Sequence, residues 1–306
     1  MPSPQVITTR QARKQINHFG RSLIIYVLVM MLMRYGFDFL SEKYPEVFMG
    51  FDPMVVELAM TIVLTILVAV IAFGISSRML NLNIRDYLRN PRLRSDRVIA
   101  LICIGIGINL IAVSVSTLFY FFFHTESASF PFLGQFNTNL NIIKNILYVI
   151  LFVFVKPVCD EYIFRGIIQR QLGHYGRYFG VLGSAVLYAL AQLNLVDAVP
   201  CFFVGWYLSL ITLRYHSIKP AVTVNVCLNL FLWAMNVIPG NYLWLITLFI
   251  VLIYISAALF IFQKRVDTGM VRYGATEWKL WKILLTSSTT IILIILFIFN
   301  VTVSFR

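Results

Sequence analysis

Apolar residues run along this chain in long blocks, most of them close to the ~20 residues an α-helix needs to cross ~30 Å of hydrocarbon. The blocks lie near residues 22–40, 53–77, 98–123, 139–159, 180–194, 198–213, 219–237, 242–262 and 283–303. The fifth and sixth are short, which suits segments that are tilted, partly re-entrant or sheltered by neighbours. This pattern predicts an all-α polytopic membrane protein, a bundle of eight or nine transmembrane helices. The count is nine if every block crosses and eight if the fifth or sixth does not. There is no internal repeat, low-complexity linker or second soluble domain, so residues 1–306 read as a single membrane domain. The first block has a basic start and an apolar run from Leu23 to Met33. No small-residue cleavage site comes after it, so it reads as a retained first span.

Composition narrows the class further. Hydrophobic residues make up 59% of the chain and charged residues 12%, with a mean hydropathy of +0.83. A soluble domain carries roughly a quarter charged residues. A nucleic-acid-binding protein, a secreted disulfide scaffold and a cytosolic enzyme are excluded, because so little polar surface cannot cover so many apolar runs. The formal charge of +12 is mainly a topology signal. With a cytoplasmic N-terminus, one set of loops collects Arg10, Arg13, Lys14 and Arg21, then Arg78, Arg85, Arg89, Arg92, Arg94 and Arg97. It continues with Arg165, Arg170, Arg177, Arg214, Lys219, Lys264, Arg265, Arg272, Lys279 and Lys282. That is twenty of the 25 Lys and Arg. The opposite side has Lys43 and Arg306, and Arg34, Lys144 and Lys156 fall at membrane depth. Because cytoplasmic loops are rich in Lys and Arg, the expectation is a multi-pass protein of the cell membrane with its N-terminus cytoplasmic and its C-terminus outside. Membrane lipids are expected partners and nucleic acid is not. The loop from Arg85 to Arg94 would attract anionic headgroups, although cytoplasmic retention alone also explains it.

Cys103, Cys159, Cys201 and Cys227 lie in or at the ends of apolar blocks with no paired metal spacing, and read as small apolar side chains. Trp278 and Trp281 alternate with Lys279 and Lys282, a pattern that fits an interfacial amphipathic turn. The chemistry is expected elsewhere, since ionisable groups inside a membrane bundle are costly and are functional candidates by default. The densest cluster runs from Lys156 through Asp160, Glu161 and Arg165 to Gly166, at the cytoplasmic end of the fourth block. On a helix Glu161 and Arg165 share a face one turn apart, as do Lys156 and Asp160. Tyr188 and Gln192 in the fifth block, and Asn225 and Asn229 in the seventh, repeat that spacing. For either pair alone, hydrogen bonding between helices is the plain explanation.

Taken together, Asp160-Glu161-x-x-x-Arg165, Tyr188-x-x-x-Gln192 and Asn225-x-x-x-Asn229 resemble the three motifs of the CPBP family. That family holds the CAAX prenyl endopeptidases, bacteriocin-processing and immunity proteins, and lysostaphin-resistance-type membrane proteins. Its pattern is Glu-Glu-x-x-x-Arg, Phe-x-x-x-His and His-x-x-x-Asn or Asp, on separate helices that converge in the bilayer. The resemblance covers about residues 140–235 and implies a CPBP-type, intramembrane-protease-like core there. In active members it implies that the glutamates and the second-motif histidine activate a water or a metal-bound water. The third-motif His and Asn then steady the oxyanion.

This chain keeps Glu161, Arg165 and Asn229 but has Asp160, Gln192 and Asn225 at the first Glu and the two His positions. A carboxamide is neither a useful base near neutral pH nor a good transition-metal ligand. Asn225 can donate to an oxyanion but cannot become cationic. Asp160 sets its carboxylate back by about one C–C bond. The four histidines, His18, His124, His174 and His216, fall in the N-terminal segment, at span ends or in loops. The expectation is therefore a catalytically degenerate protein, with no cofactor and no metal. Its cavity, lined by Asp160, Glu161, Arg165, Tyr188, Gln192, Asn225 and Asn229, would bind a partner membrane protein, a peptide or a lipid at the bacterial envelope, in an immunity or regulatory role. Two alternatives stay open: an active intramembrane endopeptidase of the CAAX type with altered catalytic residues, and a small transporter, against which the missing inverted repeat argues.

Overall fold

A computed structural model of the chain describes residues 9–82, 88–91, 93–123, 132–238, 250 and 277–304. Among them nine helices of more than one turn have defined bounds: α1 (Thr9–Lys43), α2 (Pro53–Met79), α3 (Ser95–Phe123), α4 (Asn139–Gly173), α5 (Arg177–Leu190), α6 (Leu195–Tyr215), α7 (Lys219–Val237), α8 (Glu277–Leu285) and α9 (Ser288–Ser304). Six of these, α1, α2, α3, α4, α6 and α7, are long and apolar enough to cross a membrane. The α8–α9 pair, bent by 63° at its break, makes a seventh if it is one span. The chain is an all-helical, multi-pass membrane protein. The eighth apolar block, 242–262, lies outside the described residues, as do Arg85, Arg92, Lys264, Arg265, Arg272 and Arg306.

The helix starts obey local chemistry. Asp52 accepts hydrogen bonds from the Met54 and Val55 amides at the head of α2, Thr138 from Asn141 at the head of α4, and Asn194 from Val196 at the head of α6. Each side chain satisfies amides that have no partner inside the helix. The largest boundary difference from the hydropathy reading is in the first block, where the helix starts at Thr9 and not near 22; the last block is broken between Leu285 and Ser288, and three further boundaries bear on the charged cluster. The fourth helix does not stop at 159 but continues to Gly173, so the charged cluster sits inside it and not at its end. The fifth helix ends at Leu190 and not at 194. Ala191 and Gln192 form a turn, Leu193 is left-handed with φ 58°, and Asn194 already caps α6. The sixth begins at Leu195 and has 21 residues, long enough to span, whereas the 14 residues of α5 reach only about 21 Å.

Helix α4 is locally unwound twice, with π-helical stretches at Val149–Val155 and Glu161–Gln169. The first directly precedes Lys156-Pro157. Proline has no amide to donate, and its ring crowds the carbonyl four residues back; widening the preceding turn relieves this. The second carries the charged cluster, and π-helical turns are frequent at functional sites.

Side-chain bonds fix how the helices run. Ser22 of α1 donates to the Ala72 carbonyl of α2 at 3.0 Å, and Thr65 of α2 reaches Met30 Sδ at 3.9 Å, so the two are antiparallel. The start of α1 meets the end of α4, where Gln171 Nε2 donates to Gln15 Oε1 at 2.7 Å and Tyr175 donates to the same oxygen. Ser217 donates to the Arg89 carbonyl at 2.7 Å, and Lys219 to Asn90 at 2.6 Å. Tyr207 donates to the Leu101 carbonyl at 2.9 Å. Those bonds bring the α6–α7 turn to the start of α3. The basic helix ends therefore gather at one end of the bundle. Lys144, which the hydropathy reading leaves at membrane depth, pairs with Asp52 at 2.8 Å beside the start of α2.

The main core joins α1, α4, α5 and α8 through Phe19, Leu23, Phe164, Ile167, Phe179 and Leu284. Outward-facing apolar residues such as Val63, Leu67, Val70 and Ile71 of α2 remain exposed. A row of that kind is stable against lipid and unfavourable against water. Gly180 lets α5 close on the end of α4, since a Cβ there would stand 2.8 Å from Gln169 O and from the Gly173 backbone.

Candidate functional site

Asp160 and Glu161 are neighbours at the start of the second π-helical stretch, and they point to different partners. Asp160 faces α1 and α5: Tyr26 donates to its Oδ1 at 3.2 Å and Tyr188 to its Oδ2 at 3.3 Å. Glu161 faces its own helix and α7. Arg165 Nη1 stands 3.2 Å from Glu161 Oε1, and Asn225 Nδ2 donates to that oxygen at 2.9 Å. Asn229 Nδ2 in turn donates to Asn225 Oδ1 at 2.9 Å and to its carbonyl at 2.8 Å, which fixes the amide so that its NH₂ points at Glu161. Glu161 and Arg165 are 0% exposed and Asp160 2%.

Arg165 ties the cluster to α6. Its Nη2 donates to the Gly205 carbonyl at 3.0 Å, and its guanidinium lies 4.8 Å from the centre of the Tyr188 ring, within the range of a cation–π contact. Gly205 is required by this approach. A Cβ there would come within 2.9 Å of Tyr188 Cδ1 and 3.2 Å of Arg165 Nη2. The second-motif turn joins from outside: Lys156 Nζ donates to Gln192 Oε1 at 3.4 Å, and Gln192 Nε2 to the Tyr188 carbonyl at 3.4 Å.

The structure thus brings all seven candidate residues into one connected neighbourhood. The Glu161–Arg165 pair is where the helical spacing puts it. The companion pairing of Lys156 with Asp160 does not form: Lys156 turns to Gln192 and to the Phe152 ring, 5.8 Å away, while two tyrosines hold Asp160. Tyr188 and Gln192 do not stack along one helix, because α5 has ended before Gln192. Nor do the charged residues line an open cavity. They are buried against one another and against the helices that enclose them. The adjoining space is a groove of about 720 Å³ between α2, α4 and α7. It is walled by Ile66, Val70, Phe154, Val158, Cys159 and Tyr162, with Lys219 at its edge.

Tyr26 and Gly205 escape the sequence reading. Tyr26 is one of five hydroxyl residues in the 35-residue α1, and no local pattern marks it as the one that reaches Asp160. A glycine in an apolar helix signals close packing without saying against what. Of the described histidines, His18 lies near the start of α1, His174 ends α4 and His216 ends α6 in a left-handed cap with φ 48°; none hydrogen-bonds to the cluster. His124 lies outside the described residues. Among the described residues no three His, Cys, Asp or Glu side chains gather as a metal site. Zn²⁺ sites use imidazole, thiolate and free carboxylate. Here the donors are carboxamides, a carboxylate already faced by a guanidinium and a carboxylate held by two phenols. The set does not fit such an ion.

These observations define a multi-pass helical membrane protein whose charged cluster is enclosed by α1, α4, α5, α6 and α7. Residues 142–231 match the family described as Type II CAAX prenyl endopeptidase Rce1-like, a stretch that holds Asp160, Glu161, Arg165, Tyr188, Gln192, Asn225 and Asn229. That stretch of the chain is similar to the Rce1-like proteins of the CPBP family. No curated protein and no solved structure matches the chain.

Proposed function

We propose that this protein is a catalytically degenerate CAAX-protease-like membrane protein that binds a membrane partner, a peptide or a lipid without cleaving it. One observation carries the reading. Both carboxylates of the cluster are engaged by the protein itself: Asp160 accepts from Tyr26 and Tyr188, and Glu161 is ion-paired with Arg165 and accepts from Asn225. Neither family histidine position supplies imidazole. General acid–base participation is worth ~10²–10⁴-fold, and a preorganised oxyanion donor ~10²–10³-fold. Without a relay the cluster serves to hold helices together, and the apolar groove beside it is the surface left for a partner. The placement we propose is the cell membrane of a bacterial envelope, N-terminus cytoplasmic and C-terminus outside, in an immunity or regulatory role.

Glu161 Oε2 is buried and takes no hydrogen bond from the described residues. That open oxygen favours a second reading, an endopeptidase in which Glu161 alone orients water. The experiment compares wild type with the triple variant Asp160→Glu, Gln192→His, Asn225→His on a CAAX-type peptide and a transmembrane-helix substrate. Turnover confined to the triple variant supports the degenerate reading. Turnover by wild type equal to that of the triple variant supports the second.

A further inference from the structure

The first three turns of α1 have two opposed faces. Ala12, Ile16, Phe19 and Leu23 recur at intervals of four and three and are buried in the core, the periodicity of a helix stripe. The other side carries Arg10, Arg13, Lys14, His18 and Arg21 with Asn17 among them, and these six residues line a space of about 510 Å³. Among the described residues no carboxylate lies within ion-pair distance of any of these cations. Arg13 alone is spoken for in part, its Nη2 donating to Thr286 at 3.2 Å.

The cations are held on a fixed scaffold. Asn17 Oδ1 accepts from Ser288 at 3.3 Å and Thr289 at 3.1 Å, which clamps α1 to the bend between α8 and α9. Gln15, nearer the core side, is held by Gln171 and Tyr175. Helix α8 lies at the same level, with Trp281 edge-on to Phe179 at 5.2 Å and Trp278 exposed, and tryptophans favour the headgroup layer.

The continuation of this face along α1 decides the kind of ligand. The side that carries Arg10, Lys14 and Arg21 runs on, at the same helical spacing, into Ile25, Leu28 and Leu32, which are 49%, 46% and 73% exposed. One unbroken face is therefore cationic over its first turns and apolar and bare over the next. Arg21 to Leu32 spans about 16 Å at 1.5 Å per residue, roughly one leaflet of hydrocarbon. A soluble phosphate would use only the cationic half. We infer that the outer face of α1 binds an anionic phospholipid, its phosphate among Arg10, Lys14 and Arg21 and an acyl chain along Ile25, Leu28 and Leu32. Arginine and lysine both suit phosphate oxygens, and each basic residue near a membrane surface adds to the attraction of anionic lipid. This site is separate from the Rce1-like core and does not rest on the proposed function.

The test uses the full-length protein in uncharged detergent micelles, titrated with fluorescent-acyl phosphatidylglycerol. Phosphatidylcholine with the same chain and inorganic phosphate serve as competitors. Saturable binding near one lipid per chain is expected, displaced by neither competitor at equal concentration. Arg10→Ala/Lys14→Ala/Arg21→Ala should weaken it at least about tenfold. The charge-matched Arg78→Ala/Arg97→Ala/Arg214→Ala should change it less than about twofold. Lys14→Glu alone, at an exposed position, checks the same point without a triple substitution. Equal losses in the two triple variants, unchanged binding in the α1 variants, or competition by inorganic phosphate as effective as by unlabelled phosphatidylglycerol would each overturn the proposal. The last would mark a free-anion site only.

Discussion

Arg165 and Arg21 are the same side chain in opposite circumstances. Arg165 is fully buried, faces Glu161 at 3.2 Å, donates to Gly205 and lies over Tyr188. Arg21 is exposed on α1, and among the described residues no acidic side chain pairs with it. In the core the charge is answered by the fold itself. At the membrane boundary the cations are fixed in place but face outward. The contrast separates two jobs that a count of charged residues merges: the buried cluster sets how five helices meet, and the basic face is open to something outside the chain.

The largest effect should come from breaking the buried pair on one side. Arg165→Ala leaves Glu161 desolvated without its cation, and a loss of about 3–5 kcal/mol is expected. The double variant Glu161→Ala/Arg165→Ala should lose less than the sum of the two single variants, because neither charge is then left alone. Unfolding of the four proteins in detergent measures this coupling. Simple additivity would show that the two side chains do not depend on each other.

A smaller loss, about 1–3 kcal/mol, is expected for Gly205→Ala, which pushes a methyl group against Tyr188 and Arg165. Gly74, on α2, has nothing within 4 Å of the place a Cβ would take, so Gly74→Ala should be neutral or mildly stabilising, as alanine is the better helix former. Similar melting shifts for both glycines would contradict the close approach of α6 to the cluster. Tyr26→Phe removes one donor from Asp160 and should cost about 1–3 kcal/mol. Tyr26→Phe stability equal to wild type would mean that α1 does not help to close the site. Smallest of all, Lys14→Ala on the outer face should shift stability by less than about 0.5 kcal/mol.

How much of this is legible in the sequence depends on the range of each interaction. Glu161 and Arg165 belong to one helix, so their spacing alone places them together, and the three motifs do converge, although Gln192 lies in the turn after α5. Block hydropathy locates the helices but not their ends. It runs the fifth helix on to 194 because Ala191, Gln192 and Leu193 continue an apolar pattern, although Asn194 is a helix-capping residue type. It also closes the fourth helix at the charges, because it scores Asp160 and Glu161 as polar whether or not partners bury them. The partners that come from far along the chain are not legible. Tyr26 lies 134 residues from Asp160, and Gly205 lies 40 from Arg165. No local period records such contacts. The closed cluster, in place of an open polar cavity, results from those same distant partners, the Tyr26 hydroxyl that donates to Asp160 and the Gly205 carbonyl that accepts from Arg165.

On the proposed reading, the Glu161 cluster is structural and performs no hydrolysis. The most direct measurement is proteolysis by purified wild-type protein and by Glu161→Gln, side by side, on a CAAX-type peptide and on a transmembrane-helix substrate in detergent and in liposomes. The expected result is no cleavage above background by either protein. Cleavage by wild type that disappears in a folded Glu161→Gln protein would contradict the claim and make Glu161 a catalytic residue.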